Sequence, residues 1–312
     1  MRKVTIVGAG AVGSTAAFAL SESGLVDEIV IVDINDDRAW GNAWDIAHGV
    51  PLIQPVKVRN GSYADSKDSD VVVITVGVPE VTGESRLVPL RKNAAILNSI
   101  VPQIVENSPN GKILVVSNPV DILTYLTYKI SKLPKNQVFG LGTVLDSSRF
   151  RCMLSNDFGI DGRSVHGFML GEHGDSQVAA WSLTNIAGVS VEEYAKVVGK
   201  ELPEGYHDLV ENNVKQSAFD VWEKKGPNCY CVADAIKSVV CAILRNEHTI
   251  LPVSSFLEGE YGLDNVCLSV PAIVAESGVV RTLEVEIAED EKEKLLKSGN
   301  MLKSLIAELE AE

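Results

Sequence analysis

Positive charge is scarce in this 312-residue chain: 28 lysines and arginines face 42 aspartates and glutamates, a formal net charge of −14. So acidic a surface repels nucleic acid and anionic membranes, and neither is expected as a partner. An anionic ligand must instead be gripped by local cations, which directs attention to each arginine near a loop. No stretch approaches the roughly 20 apolar residues of a membrane span. The start MRKVTIVGAGAVG has a charged end and an apolar run, but glycine interrupts it too early for a signal peptide. Cysteine is sparse as well. Cys152, Cys229, Cys231, Cys241 and Cys267 are odd in number and form no CxxC pair, so structural thiols of a reducing cytoplasm are expected and a zinc site is not. Repeats, low-complexity tracts and an obvious linker are missing too, which implies a tight interface between any domains.

What is present is an ordinary globular balance, 46% hydrophobic and 22% charged, in a chain about two domains long. The first half alternates β-branched runs with helical stretches. VTIVGAG (4–10), EIVIVD (28–33), DVVVITVG (70–77) and KILVVSNP (112–119) have the continuous apolar character of buried parallel strands, with NQVFGLG (136–142) a weaker fifth. Helices are expected over 12–22 and 90–107. This rhythm predicts an α/β architecture, a Rossmann-type doubly wound parallel sheet, with its ligand crevice at the C-terminal ends of the strands. Gly8, Asp33, Gly77 and Asn118 all fall at such ends. The second half is mixed α+β. Helices are expected over 147–158 and 229–246, a strand running into a loop over 162–174, and an antiparallel hairpin over 263–283. A C-terminal helix begins near 289, where Glu289, Asp290 and Glu291 suit a helix N-terminus. Gly299 inside that helix should cost about 1 kcal/mol. The expected division is 1–142 and 143–312.

Three constellations carry chemistry. GAGAVG (Gly8, Gly10, Gly13) lies between a strand and a helix, with Asp33 closing the next strand about twenty residues on. The glycines let the backbone approach a pyrophosphate at the helix N-terminus, and Asp33 can accept from ribose hydroxyls. A carboxylate there repels a 2′-phosphate, which favours NAD over NADP. GEHGDS (171–176) sets His173 between glycines, with room to meet a ligand and with the proton chemistry of imidazole near neutral pH. In GTVLDSSRFR (142–151), Asp146 and Arg149 share a face if helical, which in isolation reads as a surface ion pair. SNPVD (117–121) adds Asn118 at a strand end, where a plain turn is the simplest explanation.

Together GAGAVG, Asp33, the GESR segment ending at Arg86, SNPVD, LDSSRFR and GEHGDS resemble, in order and spacing, the lactate and malate dehydrogenase family. The resemblance runs from residue 4 to the C-terminal helix and is closest to bacterial L-lactate dehydrogenases. It implies a homotetrameric enzyme acting on a small 2-oxo or 2-hydroxy acid, with residues 143–312 as its substrate domain. It makes His173 the acid/base, Asp146 its orienting carboxylate and Arg149 the bidentate holder of the substrate carboxylate. Arg86 is to polarise the carbonyl on a closing loop, and Asn118 is to contact substrate and cofactor. Val12, Arg38, Tyr63, Gly77 and Val78 fall where the family touches NAD. Arg151 and His166 occupy positions that bind fructose 1,6-bisphosphate at a subunit interface in many bacterial relatives; a helix-surface cation and a strand histidine equally account for them.

Two positions depart from the family. Lactate enzymes resemble one another in a glutamine six residues before the loop arginine, and malate enzymes in an arginine; this chain has Glu80. A second pocket position, commonly threonine in lactate enzymes, is Asn228. Two like charges about 4 Å apart at an effective dielectric near 20 repel by about 4 kcal/mol, which disfavours oxaloacetate about a thousandfold. Pyruvate presents only a methyl group and tolerates Glu80. A larger 2-oxo acid carrying a donor or a positive charge is the other substrate consistent with Glu80 and Asn228. A non-catalytic NAD-binding protein is disfavoured by the retention of His173, Asp146, Arg149 and Arg86.

Overall fold

The computed structural model describes residues 1–78 and 87–310. Glu80, Glu84 and Arg86 therefore lie outside the described residues. In the first half, β1 (Lys3–Val7), β2 (Glu28–Val32), β3 (Lys57–Asn60), β4 (Val71–Ile74), β5 (Lys112–Val115) and β6 (Val138–Gly140) alternate with α1 (Ala11–Ser21), α2 (Asp36–Gly49), α3 (Leu87–Asn107) and α4 (Val120–Ser131). The strands KVTIV, EIVIV and VVVI are buried at every residue, which only a sheet covered on both faces allows. Helix α2 and strand β3 escape the sequence reading. DDRAWGNAWDIAHG is poor in apolar residues and buries only Ala39 and Ala43, yet Asn35 caps it by accepting from the Arg38 N–H at 3.0 Å and Asp36 and Asp37 fill its first turn.

The second half begins with α5 (Val144–Phe158). Short paired strands follow, β7 (Val165–His166) with β10 (Asn185–Ile186) and β8 (Met169–Leu170) with β9 (Val178–Ala179). Helices α6 (Val191–Val197), α7 (Tyr206–Lys225) and α8 (Tyr230–Leu244) lead to β11 (Thr249–Glu258), β12 (Asp264–Ala275), β13 (Gly278–Thr282) and α9 (Glu289–Glu310). The expected 263–283 hairpin is β12–β13, paired antiparallel.

Among the described residues one sheet of nine strands joins the two halves, in the order β13-β12-β11-β6-β5-β4-β1-β2-β3. Strands β3-β2-β1-β4-β5-β6 run parallel, the doubly wound order whose switch point lies between β1 and β4. Strand β11 joins β6 antiparallel, so the second half extends the sheet of the first. On one face α1, α2 and α8 enclose a core including Leu20, Ala43 and Ile236; on the other α3, α4 and α9 enclose Leu97, Leu123 and Leu302. Helix α8 packs directly against α1, which brings a second-half helix beside the glycine turn. A third cluster, built on Phe150, Leu154, Met169 and Val214, holds α5 and α7 together.

The five cysteines are free thiols; Cys229 and Cys267 are buried, whereas Cys152 and Cys231 are exposed. No helix among the described residues is long and apolar enough to cross a membrane.

Candidate active site

The glycine turn at the switch point has two steric requirements and one opening. Gly8 has φ +111°, and a Cβ there would come within 2.8 Å of Thr75 Oγ1. A Cβ on Gly13 would lie 1.9 Å from the Gly8 carbonyl oxygen. A Cβ on Gly10, by contrast, meets nothing within 4 Å. Gly8 and Gly13 thus let strand and helix close together, while Gly10 leaves open space at the N-terminus of α1, where N–H groups and helix dipole favour phosphate.

Asp33 accepts from the Ala9 N–H at 2.6 Å, the Asn35 N–H at 2.8 Å and Arg38 Nη2 at 2.8 Å. Burial works to raise its carboxyl, but these donors outweigh that and hold it below the ordinary carboxylate range. It is therefore anionic at neutral pH, as recognition of a ribose diol requires. Tyr63 stands near enough that burial and the Asp33 charge together push its hydroxyl up. Val12, in the first turn of α1, is half-buried against the core. These residues fit a dinucleotide: an open glycine cradle, a helix N-terminus and an ionised carboxylate at the end of the adjacent strand.

Gly77 and Val78 follow β4. The Val78 N–H donates to Asn93 Oδ1 at 2.7 Å, and Asn93 Nδ2 donates to the Asn118 carbonyl at 3.0 Å. Asn93, 3% exposed in α3, therefore ties the segment after β4 to the segment after β5. The sequence reading missed it; its signal was a polar side chain among the helix's apolar positions. Asn118 itself is exposed and precedes a cis peptide to Pro119.

The second half supplies the charged centre. Asp146, 1% exposed in the first turn of α5, accepts from His173 Nδ1 at 2.5 Å and from Arg149 Nη1 at 2.9 Å. The pair that in isolation reads as a surface one is thus interior. Burial opposes ionisation of Asp146, but the His173 and Arg149 charges prevail and hold its carboxyl below the ordinary value. Burial likewise opposes the imidazolium, but the Asp146 carboxylate prevails and raises His173 above the usual histidine value. With Nδ1 committed to Asp146, Nε2 is the nitrogen left for proton exchange. The His173 side chain keeps about a fifth of its surface exposed, enough to meet a ligand.

The loop carrying His173 is fastened from three directions. Its Gly171 pairs with Ser269 of β12, the Glu172 N–H donates to Ser298 Oγ of α9 at 2.9 Å, and the His173 N–H donates to Asp121 Oδ2 at 2.8 Å. Asp121 and Ser298 are further residues that the sequence reading did not single out.

The remaining candidates make contacts of their own, none of them to this cluster among the described residues. Asn228 Nδ2 donates to the Ala218 carbonyl at 2.8 Å, fastening the turn between α7 and α8 and leaving its oxygen for another partner. Arg151 donates from Nη2 to the Gly162 carbonyl at 3.2 Å, and its buried Nε has no partner among the described residues. His166 is exposed on β7, a strand packed against α5.

A dinucleotide cradle beside an Asp–His–Arg cluster has known counterparts. Residues 2–140 match the family model for the lactate/malate dehydrogenase NAD binding domain, and residues 143–312 match that for its alpha/beta C-terminal domain. The chain belongs to the lactate/malate dehydrogenase family. Among curated relatives, an L-lactate dehydrogenase of Clostridium perfringens is 53% identical over 308 residues, covering 99% of this chain and 97% of that one. L-lactate dehydrogenase 1 of Clostridium acetobutylicum is 50% identical over 301 residues, covering 96% of each. The crystal structure of a minor L-lactate dehydrogenase from Enterococcus mundtii superposes with a TM-score of 0.94 at 39% identity, covering 98% of each chain. Membership of the family accounts for the NAD cradle and for the α/β architecture together.

Proposed function

We propose that the chain is an NAD-dependent L-lactate dehydrogenase that interconverts pyruvate and L-lactate, with His173 as its acid/base. The observation that carries this reading is the single buried carboxylate of Asp146 holding both His173 and Arg149. NAD, bound along the glycine turn and Asp33, supplies the hydride acceptor or donor. In the reducing direction protonated His173 gives its Nε2 proton to the carbonyl oxygen, and Asp146 balances the charge until it leaves. In the oxidising direction neutral His173 takes the hydroxyl proton, and Asp146 stabilises the imidazolium that forms. Arg149 grips the substrate carboxylate with the donors not engaged by Asp146. By family resemblance Arg86 polarises the carbonyl, Asn118 contacts substrate and cofactor, and Val12, Arg38, Tyr63, Gly77 and Val78 line the NAD site.

The division at 142/143 follows the same reading, with NAD held by the first part and the substrate by the second. Free thiols suit a cytoplasmic enzyme. A homotetramer is supported by exposed apolar side chains such as Trp40 and Trp44 on α2, large surfaces of a kind that monomers seldom leave to water. Glu80 and Asn228 keep a second substrate class in view, a larger 2-oxo acid bearing a donor or a cation.

A steady-state panel of pyruvate, oxaloacetate and longer polar or cationic 2-oxo acids tests the assignment. Pyruvate is expected to give the highest kcat/KM and oxaloacetate at most about a thousandth of it. A cationic acid outrunning pyruvate would transfer the assignment to that substrate. His173→Ala should lose activity and still bind NADH.

A further inference from the structure

Asp121 lies in the first turn of α4, three residues after Asn118, and is 2% exposed. Its Oδ2 accepts from the His173 backbone N–H at 2.8 Å, and its Oδ1 accepts from Ser254 Oγ of β11 at 2.6 Å. Both donors are neutral. Burial pushes this carboxyl up to about 6, the reverse of Asp146, which has Arg149 beside it. A buried anion held, among the described residues, only by an amide and a hydroxyl is a poor stabiliser of structure. An asparagine could accept the same amide and donate to the same hydroxyl oxygen. The negative charge therefore calls for another account, and the imidazole of His173, with which this carboxylate interacts electrostatically, can use it.

We infer that Asp121 is a positioning residue of the reaction: one carboxylate locks the His173 backbone to α4 and β11 and sets a second negative charge behind the imidazole. This rests on the assignment of His173 as acid/base. The arrangement also ties the segment bearing Asn118 to the one bearing His173, so both move as a unit. The charges around the pair fix the sign of its effect. Asp146 of α5 and Asp121 of α4 both favour the imidazolium, and Arg149 of α5 opposes it. Glu172, next to His173, opposes ionisation of Asp121, while its own carboxylate is engaged by Ser176 at 2.6 Å. Cys267 of β12 is a buried thiol whose ionisation the Asp121 charge further suppresses, so it contributes no charge near neutrality. Ser254 of β11 and Ser298 of α9 are neutral.

The test measures the pH dependence of pyruvate reduction in wild type, Asp121→Asn and His173→Ala, with NADH affinity from fluorescence. Asp121→Asn is expected to lower kcat at least about tenfold, leave NADH affinity within about threefold, and move the high-pH limb of kcat/KM down by about half a unit or more. A purely structural role would lower thermal stability and NADH affinity and leave that limb in place. An unmoved limb in a folded Asp121→Asn enzyme, with His173→Ala inactive, overturns the inference alone. An active His173→Ala overturns the acid/base assignment beneath it. If Asp121→Asn does not fold, Ser254→Ala removes one donor without adding bulk and should shift the limb in the same direction by less; no shift there overturns the inference equally.

Discussion

Nδ1 of His173 lies 2.5 Å from Asp146 Oδ2, inside a cluster where Asp146 is 1% exposed and its other oxygen holds Arg149 at 2.9 Å. The two groups shift each other in opposite directions, the histidine up and the aspartate down, despite burial that disfavours both charges. Asp146→Asn removes the charge and keeps the shape. The His173 value should then fall, and the high-pH limb of pyruvate reduction should move to lower pH with a loss in kcat of about a hundredfold or more. Stability follows with a definite sign. The histidine's share is present below its unfolded value and lost as pH rises through its raised folded value. The aspartate's share is present above its unfolded value and lost as pH falls through its lowered one. Urea unfolding of wild type against Asp146→Asn should therefore differ most between about pH 4 and 6.5. An equal difference at every pH would mean that the pair is not charged as described.

Gly10 and Gly13 separate cofactor binding from folding. A Cβ at position 13 meets the Gly8 carbonyl at 1.9 Å, whereas one at position 10 meets no protein atom within 4 Å. Gly13→Ala should lower Tm by about 5 °C or more, because backbone must move. Gly10→Ala should shift Tm by no more than about 3 °C and weaken NADH binding about tenfold or more, because the added methyl enters the space assigned to pyrophosphate. Thermal melts without NADH and fluorescence titrations with it check the two arms. Equal losses in both variants would place the pyrophosphate elsewhere.

Helix propensity alone assigns Gly299 a penalty of about 1 kcal/mol, so Gly299→Ala should stabilise α9. Packing reverses that sign. A Cβ there would lie 2.5 Å from Leu263 Cδ1, and Leu263 is 1% exposed with little room to yield. Gly299→Ala should instead destabilise by about 1–2 kcal/mol, read as a lower urea midpoint at unchanged m-value. A raised midpoint would show that Leu263 repacks freely.

Gly299 also marks what the chain discloses when read as a string. The parallel strands were legible because burial on both faces writes itself as unbroken β-branched runs, as in KVTIV and VVVI. Helix α2 was not, since it buries only Ala39 and Ala43 and leaves its large apolar residues Trp40 and Trp44 exposed. The candidate site residues Gly8, Asp33, Asp146 and His173 carry local signatures of turn, strand end and loop. Asp121 and Ser298 carry none, because each acts by reaching backbone far away in sequence, and Asn93 shows only as a polar side chain in an apolar helix. Asp121 contacts the His173 amide across 52 residues and Ser298 the Glu172 amide across 126. Only the folded sheet brings those partners together.

Arg151 and His166 project from α5 and β7, two elements packed on one another, and the Arg151 guanidinium has used one donor on the Gly162 carbonyl at 3.2 Å. Among the described residues Arg151 forms no ion pair, so a polyanion reaching its guanidinium would gain a charge-assisted bond without displacing one. If fructose 1,6-bisphosphate binds there across two subunits, it must favour the assembled form by its differential affinity. Millimolar bisphosphate should then lower the KM for pyruvate at least about fivefold and move the size-exclusion peak to higher mass at dilute protein. Arg151→Gln and His166→Gln should each lose both responses when measured against their own effector-free rates. A wild-type enzyme whose KM and elution stay unchanged would leave Arg151 as a cation bracing the Gly162 turn and His166 as a surface histidine.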